Sequence, residues 1–233
     1  MTTQQHIRAA LIDMDGTLYN SMPNHAKAWM RLMNEKGLQA TEEEFFLYEG
    51  MTGAAIIDKM IRRTLGREAT ESEKKDFYAL KAKYFVEMPP VSLIDGAVDM
   101  VADLRRRGID TILVTGSGQN SLLSRLEVDF PGVFPAEKRV TSASVKRGKP
   151  FPDPYLRGLE LAGVSACEAI AIDNAPLGVA SGRAADILTV GVVTGPIPAH
   201  ELYAGGAHVV YHSMRECADF LPGLLDKIET ITH

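Results

Sequence analysis

Four stretches of this 233-residue chain place side chains of catalytic type at the end of an apolar run or beside a turn. Ala9, Ala10, Leu11 and Ile12 lead into Asp13-Met14-Asp15-Gly16-Thr17. Ile109 to Val114 lead into Thr115-Gly116-Ser117-Gly118, and Ala169 to Ile172 lead into Asp173-Asn174. Lys149 stands in a Gly-Lys-Pro turn ahead of a helix. A short apolar run that stops at a turn signal reads as a buried strand, and residues i and i+2 of a strand share a face. Asp13 and Asp15 can therefore reach one site. Two crowded carboxylates repel unless a cation, a shared proton or a division of roles relieves them. Carboxylates and carbonyls with few nitrogen ligands suit Mg²⁺, and lysine with hydroxyl donors suits a phosphoryl group. The bland alternative is a set of turns that use Asp for local backbone hydrogen bonds. Four coincidental turns are a weaker account than one shared site.

The elements that must position these residues fall into two kinds. Ser21 and Pro23 introduce a helix with Ala26, Trp29, Met30 and Met33 at helical spacing, closed by Gly37. Thr41-x-x-Glu44 and Thr70-x-x-Glu73 are capping boxes. Between them Ile56, Ile57, Met60 and Ile61 mark another helix that ends at Gly66. Phe77, Leu80 and Tyr84 share a face of the last one, and Pro89-Pro90 stops it. Residues 19–88 thus read as purely helical. From residue 91 helices and strands alternate: a helix near 97–107, a strand at 109–114, a helix near 119–127 and a weak strand at Val140-Thr141. A helix then opens with Asp153 as N-cap, and a strand at 169–172 precedes a helix after Pro176. A strand at 187–193, another at 208–211 and a helix near 214–231 complete the chain. That alternation predicts an α/β fold with a Rossmann-like parallel sheet. The first strand has no partner unless it joins the same sheet. The expected layout is a core of 1–18 and 89–233 with an inserted all-helical cap of 19–88. In an open parallel sheet the strand ends carrying these residues meet along one edge.

The motifs Asp13-x-Asp15-Gly16-Thr17, Thr115-Gly116-Ser117, Lys149-Pro150 and Asp173-Asn174 span nearly the whole chain. In this order they resemble the haloacid dehalogenase-like superfamily of phosphoryl-transfer enzymes. The resemblance implies Asp13 as a nucleophile that forms an aspartyl-phosphate, and Asp15 as the acid and base. It implies Thr115, Gly116 and Ser117 as holders of the phosphoryl oxygens, with Lys149 neutralising charge on nucleophile and phosphate. It also implies Mg²⁺ at Asp13, the Asp15 carbonyl and the last acidic motif.

The departures bear on the substrate. Sugar-phosphate members of this branch usually show Glu-Asp-Ser in the last motif, where this chain has Ile172-Asp173-Asn174 followed by Ala-Pro-Leu-Gly. The phosphoglucomutase-like pattern puts an arginine near the cap tip for a second phosphate. Here the stretch is Tyr48-Glu49-Gly50-Met51-Thr52-Gly53, with glycine at that place. Two like unit charges ~4 Å apart repel by about 1 kcal/mol in water and about 4 at an effective dielectric of 20. A glutamate facing a phosphate therefore calls for a cation between them, and Glu49 is expected to close over Mg²⁺. Glu49-Gly-x-Thr-Gly, Asn174-Ala-Pro-Leu-Gly and Val-Thr-Gly-Ser-Gly-Gln at 114–119 resemble the inorganic pyrophosphatase branch, which implies Glu49 and Asn174 as metal ligands. Inorganic diphosphate is the expected substrate, with β-phosphoglucomutase or small sugar-phosphate phosphatase as the alternative. A silent phosphate-binding module is the reading of a different class, and it would need no nucleophile beside a proton donor.

His25 is expected near substrate or Asp15, with simple packing as the rival; Lys81 could face the site from the last of the cap helices, but a solvated lysine is the better reading. His208 and His212 have i,i+4 spacing, but Val-Val-Tyr between them favours a strand over a metal site. A net charge of −5 with 24% charged residues offers no nucleic-acid surface. No apolar run reaches the ~18 residues of a membrane span. Cys167 and Cys217 lack a disulfide or C-x-x-C pattern. With no signal-peptide pattern at the start, the cytoplasm is the expected compartment. The implied partner is a small phosphorylated substrate, with no obligate protein partner.

Overall fold

A computed structural model describes residues 6–118 and 120–230. Six parallel strands form the sheet: β1 (Ala9–Ile12), β2 (Asp110–Val114), β3 (Arg139–Val140), β4 (Ala169–Asp173), β5 (Leu188–Val192) and β6 (Val209–Tyr211). Their order is β3-β2-β1-β4-β5-β6. β1 therefore lies between β2 and β4, and the chain reverses its direction of progress across the sheet beside it. Such a switch point opens a crevice at the strands' carboxyl ends. Every residue of β1 has zero exposure, as its unbroken apolar run requires for a strand covered on both faces. Burying one such leucine is worth roughly 1.5–3 kcal/mol, so a polar residue at Leu11 would break the sheet at its centre.

Helices cover both faces. α5 (Ala97–Arg106), α6 (Asn120–Asp129) and α10 (Met214–Thr230) lie on one, where Met100, Leu104, Leu126, Cys217 and Leu221 pack with Ile12, Leu113 and Ile172. On the other, α7 (Asp153–Ala162) brings Tyr155 and Leu159 against Leu11, Val114 and Ala171, and α8 (Pro176–Ala184) lies beside β4 and β5.

Between β1 and α5 run α1 (Met22–Lys36), α2 (Glu42–Leu47), α3 (Gly53–Leu65) and α4 (Glu71–Val86). They enclose an apolar cluster of their own around Trp29, Leu32, Phe45, Ile57, Met60 and Phe85. The expected punctuation is present: Gly37 and Gly66 end α1 and α3 in the left-handed region, and Thr70 with Glu73 forms a full capping box on α4. The chain enters and leaves this block at one place. Asn20 N donates to Ser92 O at 2.9 Å, Ile94 N donates to Leu18 O at 3.0 Å, and Tyr19 bridges Leu93.

Three expectations need correction. Asp153 is the first helical residue of α7 and not its N-cap; its carboxylate pairs with Arg147 at 2.8 Å instead. A short helix, α9 (Ala199–Ala204), was not anticipated. Lys81 is buried at 2% exposure, not solvated. His208 sits beside β6 and accepts from the Thr189 backbone N–H at 2.9 Å, consistent with a strand edge. Gln119 and residue 231, which the expected helices included, lie outside the described residues. Among the described residues neither cysteine is in a disulfide, and no helix is long and apolar enough to cross a membrane.

Candidate active site

The strand ends do converge. Asp13 N still donates to Ile172 O of β4 at 3.0 Å, which fixes the first carboxylate at the lip of the sheet. Gly16 then turns the chain with φ +78°. A Cβ there would lie 2.1 Å from Asn174 Nδ2 and 2.5 Å from Glu49 Oε1, so only glycine fits both the turn and the contact above it.

Lys149 Nζ stands between Asp13 Oδ1 at 2.6 Å and Asp173 Oδ2 at 2.7 Å, with all three side chains buried. Burial pushes the Asp13 carboxyl up to about 8, beyond what the Lys149 charge can offset, with Asp173 and Asp15 adding to the rise. Among the described residues Asp13 Oδ2 is the one buried side-chain polar atom without a hydrogen-bond partner. Buried acceptors are almost always satisfied, and an exception marks a place for an ion or ligand.

Asp15 has a different environment. Its Oδ1 accepts from Ser21 Oγ at 2.7 Å and meets His25 Nε2 at 2.9 Å, while Thr115 Oγ1 donates to Oδ2 at 3.3 Å. Lys81 Nζ hydrogen-bonds His25 Nδ1 from behind. Burial raises Asp15, but His25, the Ser21 hydrogen bond and the Lys81 charge outweigh it and hold the group below its ordinary value. Burial and then Lys81 lower His25, and burial brings Lys81 down to about 7. The arrangement is a charged lysine donating to a neutral imidazole, which donates to an ionised Asp15. Two adjacent carboxylates are thus pushed in opposite directions, as a division of roles between them requires.

From the helical block Glu49 reaches down, 7% exposed, and accepts from Asn174 Nδ2 at 3.0 Å. Asn174 Oδ1 in turn accepts from Thr17 Oγ1 at 2.9 Å. Burial, then the Asp13 charge, holds Glu49 well above the usual carboxylate range. Asp13 and Glu49 are hard oxygen donors that fit a divalent cation, joined by the Asp15 carbonyl that the resemblance implies; Asn174 turns its Nδ2 to Glu49 and its Oδ1 to Thr17, and would join them only with its amide reversed. No group of three His, Cys, Asp or Glu side chains capable of holding a metal gathers among the described residues, so the set is a mixed one. Asp173 needs reassigning as a ligand. Its Oδ2 is taken by Lys149 and Tyr155, and its Oδ1 accepts from Ala175 N at 3.0 Å. In this arrangement it anchors Lys149.

A cavity of about 50 Å³ lies between lid and core, lined by Asp13, Asp15, His25, Glu49, Lys81 and Ser117 among others. Thr115, Gly116 and Ser117 follow β2 at its rim, and Thr115 Oγ1 accepts from Ser117 N at 3.0 Å, which folds the loop into a nest of amides. Tyr78 of α4 closes the same rim, its hydroxyl accepting from Gly118 N at 3.1 Å. Ser21 and Tyr78 were not anticipated in the site, and Lys81, for which solvent was the preferred reading, takes the inward-facing alternative. Tyr78, Lys81 and Phe85 recur at i, i+3 and i+7, a helical stripe that could have marked Lys81 as inward-facing.

A family model described as a haloacid dehalogenase-like hydrolase matches residues 7–186. The chain belongs to that family, and it is an enzyme of the hydrolase class. Hexitol phosphatase A of Escherichia coli (strain K12) is 29% identical over 206 residues, covering 88% of this chain and 91% of that protein. Validoxylamine A 7'-phosphate phosphatase of Streptomyces hygroscopicus subsp. limoneus is 26% identical, covering 80% of this chain and 86% of its own length. The solved structure named "Putative beta-phosphoglucomutase from Bacteroides vulgatus" is 40% identical with a TM-score of 0.91, covering 97% of this chain and 91% of that one.

Proposed function

We propose that this chain is a divalent-cation-dependent phosphohydrolase whose substrate is inorganic diphosphate, cleaved with Asp13 as nucleophile. The observation that carries the choice of substrate is the buried Glu49 carboxylate, which the lid sets against Asn174 beside the reactive aspartate. A lid that brings a carboxylate to this place serves a cation rather than a second phosphate of a sugar. The cavity beneath it, about 50 Å³, is well under the roughly 300–1,000 Å³ of sites for larger ligands. Lys81 on its wall supplies positive charge for the second phosphoryl group of a compact anion.

A bound cation would supply Lewis-acid charge to the phosphoryl oxygens; this chain's residues do the rest. Asp13 attacks phosphorus, the bridging P–O bond breaks, and Asp15 passes a proton to the departing phosphate. Because Asp15 rests ionised, that proton comes from His25, which is refilled by Lys81. Asp15 next takes a proton from the water that attacks the acyl phosphate, and Asp13 is regenerated as the second phosphate leaves. Lys149 offsets charge on Asp13 throughout, and the Thr115–Ser117 amides hold the phosphoryl oxygens.

The names of the relatives favour a second reading: a phosphatase of small sugar or polyol monoesters, or a phosphoglucomutase-like enzyme. None of the three described above bears a diphosphatase's name. A steady-state screen of diphosphate against hexose and hexitol phosphates with Mg²⁺ decides between them, and diphosphate is expected to lead. A preference of about a hundredfold in kcat/KM for a sugar ester, or ~2.7 kcal/mol in transition-state binding, would overturn the proposal. Glu49→Ala is expected to raise the Mg²⁺ concentration needed for half-maximal rate; unchanged turnover at limiting Mg²⁺ removes Glu49 from the metal site.

A further inference from the structure

Beneath Lys149, on the α7 side of the sheet, Tyr155 has zero exposure. Its ring packs in the apolar cluster with Leu11 and Val114, and its hydroxyl, the side chain's single polar atom, donates to Asp173 Oδ2 at 2.7 Å. The same oxygen accepts from Lys149 Nζ, also at 2.7 Å, and the ring centroid lies 5.4 Å from that ammonium. Asp173 has no freedom to move away. Its other oxygen holds Ala175 N, and a Cβ at Gly178 of α8 would lie 2.0–2.2 Å from the carboxylate. Lys149 is therefore suspended between two carboxylates at nearly equal distance, Asp13 and Asp173, and only the second has a phenol bonded to it.

We propose that Tyr155 is a positioning residue for phosphoryl transfer: its hydroxyl takes up part of the negative charge of Asp173 and so keeps Lys149 shared with Asp13. Two donors on one carboxylate oxygen divide its limited lone-pair charge, so each is held less strongly than it would be alone. Without the phenol, Asp173 Oδ2 draws the ammonium toward itself and away from the nucleophile. Burial and the charges of Asp173 and Asp13 hold the phenol far above its ordinary pKa, so it remains a donor. A tyrosine that merely satisfied its own hydroxyl would affect stability and nothing else.

The inference rests on Asp13 as nucleophile, and Asp13→Asn tests that separately by abolishing turnover of inorganic diphosphate and p-nitrophenyl phosphate, the two probes. Tyr155→Phe is expected to keep the fold and lower kcat by about tenfold, within the 10–100-fold typical of residues that orient a catalytic group. KM should stay within about twofold, since no ground-state contact to substrate is removed. In an Asp173→Asn background, where the charge to be shared is gone, Tyr155→Phe is expected to add no further loss. An unchanged kcat in Tyr155→Phe, or losses that multiply in the double variant, overturns the inference while leaving Asp13 in place. Should Tyr155→Phe fail to fold, 3-fluorotyrosine at position 155 changes donor strength at constant shape. It is expected to shift kcat without moving KM, and an unmoved kcat overturns the inference.

Discussion

Ser21 shows how one hydroxyl can set the behaviour of a buried carboxylate, here the proposed acid and base Asp15. It occupies the residue before α1 yet makes no capping bond; its Oγ donates to Asp15 instead. Removing a donor from a carboxylate destabilises the ionised form, so Ser21→Ala raises the pKa of Asp15. The acidic limb of the pH–rate profile is expected to move to higher pH, and a profile superimposable on the parent would contradict the arrangement. At this scale Asp13, Asp15, Thr115 and Lys149 were legible in sequence because each follows a strand or sits in a turn, where backbone direction fixes where a side chain goes. Ser21 and Tyr155 were not, and Lys81 was legible only as the weaker of two readings. Their roles depend on which face of a helix meets the sheet or the lid, and a serine before a helix reads first as a cap. Asp173 was legible as a member of the site but not as the partner of Lys149. That pairing joins residues 24 apart in the chain, and the Tyr155 phenol that shares the same oxygen lies 18 residues before Asp173.

At the level of elements, punctuation carried most of the information. The four lid helices were readable because Gly37 and Gly66 stop two of them and Thr41 and Thr70 start two others. On α4 the box is complete: Glu73 N donates to Thr70 Oγ1 at 3.2 Å and Thr70 N donates to Glu73 Oε2 at 2.8 Å. Thr70→Ala is expected to cost about 1 kcal/mol, lowering the Tm by about 2–4 °C for a chain of this size. Its kcat should not change, because the cap lies on the outside of the lid; calorimetry and steady-state kinetics on the same preparation check both. The α9 helix escaped notice because its six residues are too few for a periodic pattern, and only Leu202 among them is buried. Asp153 looked like a cap from its place before Pro154, but Arg147 claims its carboxylate.

Across the whole molecule the excess of buried acid in the site makes stability depend on pH and on the metal together. In the metal-free protein Asp13 titrates near 8, while in the unfolded chain it titrates near 3.8. The folded state therefore holds more protons between those values, and its stability falls as pH rises through that window. A cation that binds the ionised carboxylate reverses the trend. Mg²⁺ is expected to raise the Tm more at pH 8 than at pH 5, and an equal gain at both would mean that the cation binds elsewhere. The parallel sheet and the covering helices were visible in the alternation of patterns. The resemblance brought Glu49 and Asn174 to one place, 125 residues apart in the chain; what could not be read was that the Asn174 amide donates directly to the Glu49 carboxylate.

The paired crossing at Asn20 and Ser92 has one more consequence. Everything between those residues departs from the sheet and comes back through a single doorway, so the order of the six strands is indifferent to what is threaded there. A foreign helical insert grafted at that doorway would keep Asp13, Asp15 and Lys149 at the strand ends but lose Ser21, His25, Glu49 and Lys81, which all come from the threaded segment. Walls and the surroundings of Asp15 are thus exchanged together, and a new insert must bring its own partner for that carboxylate.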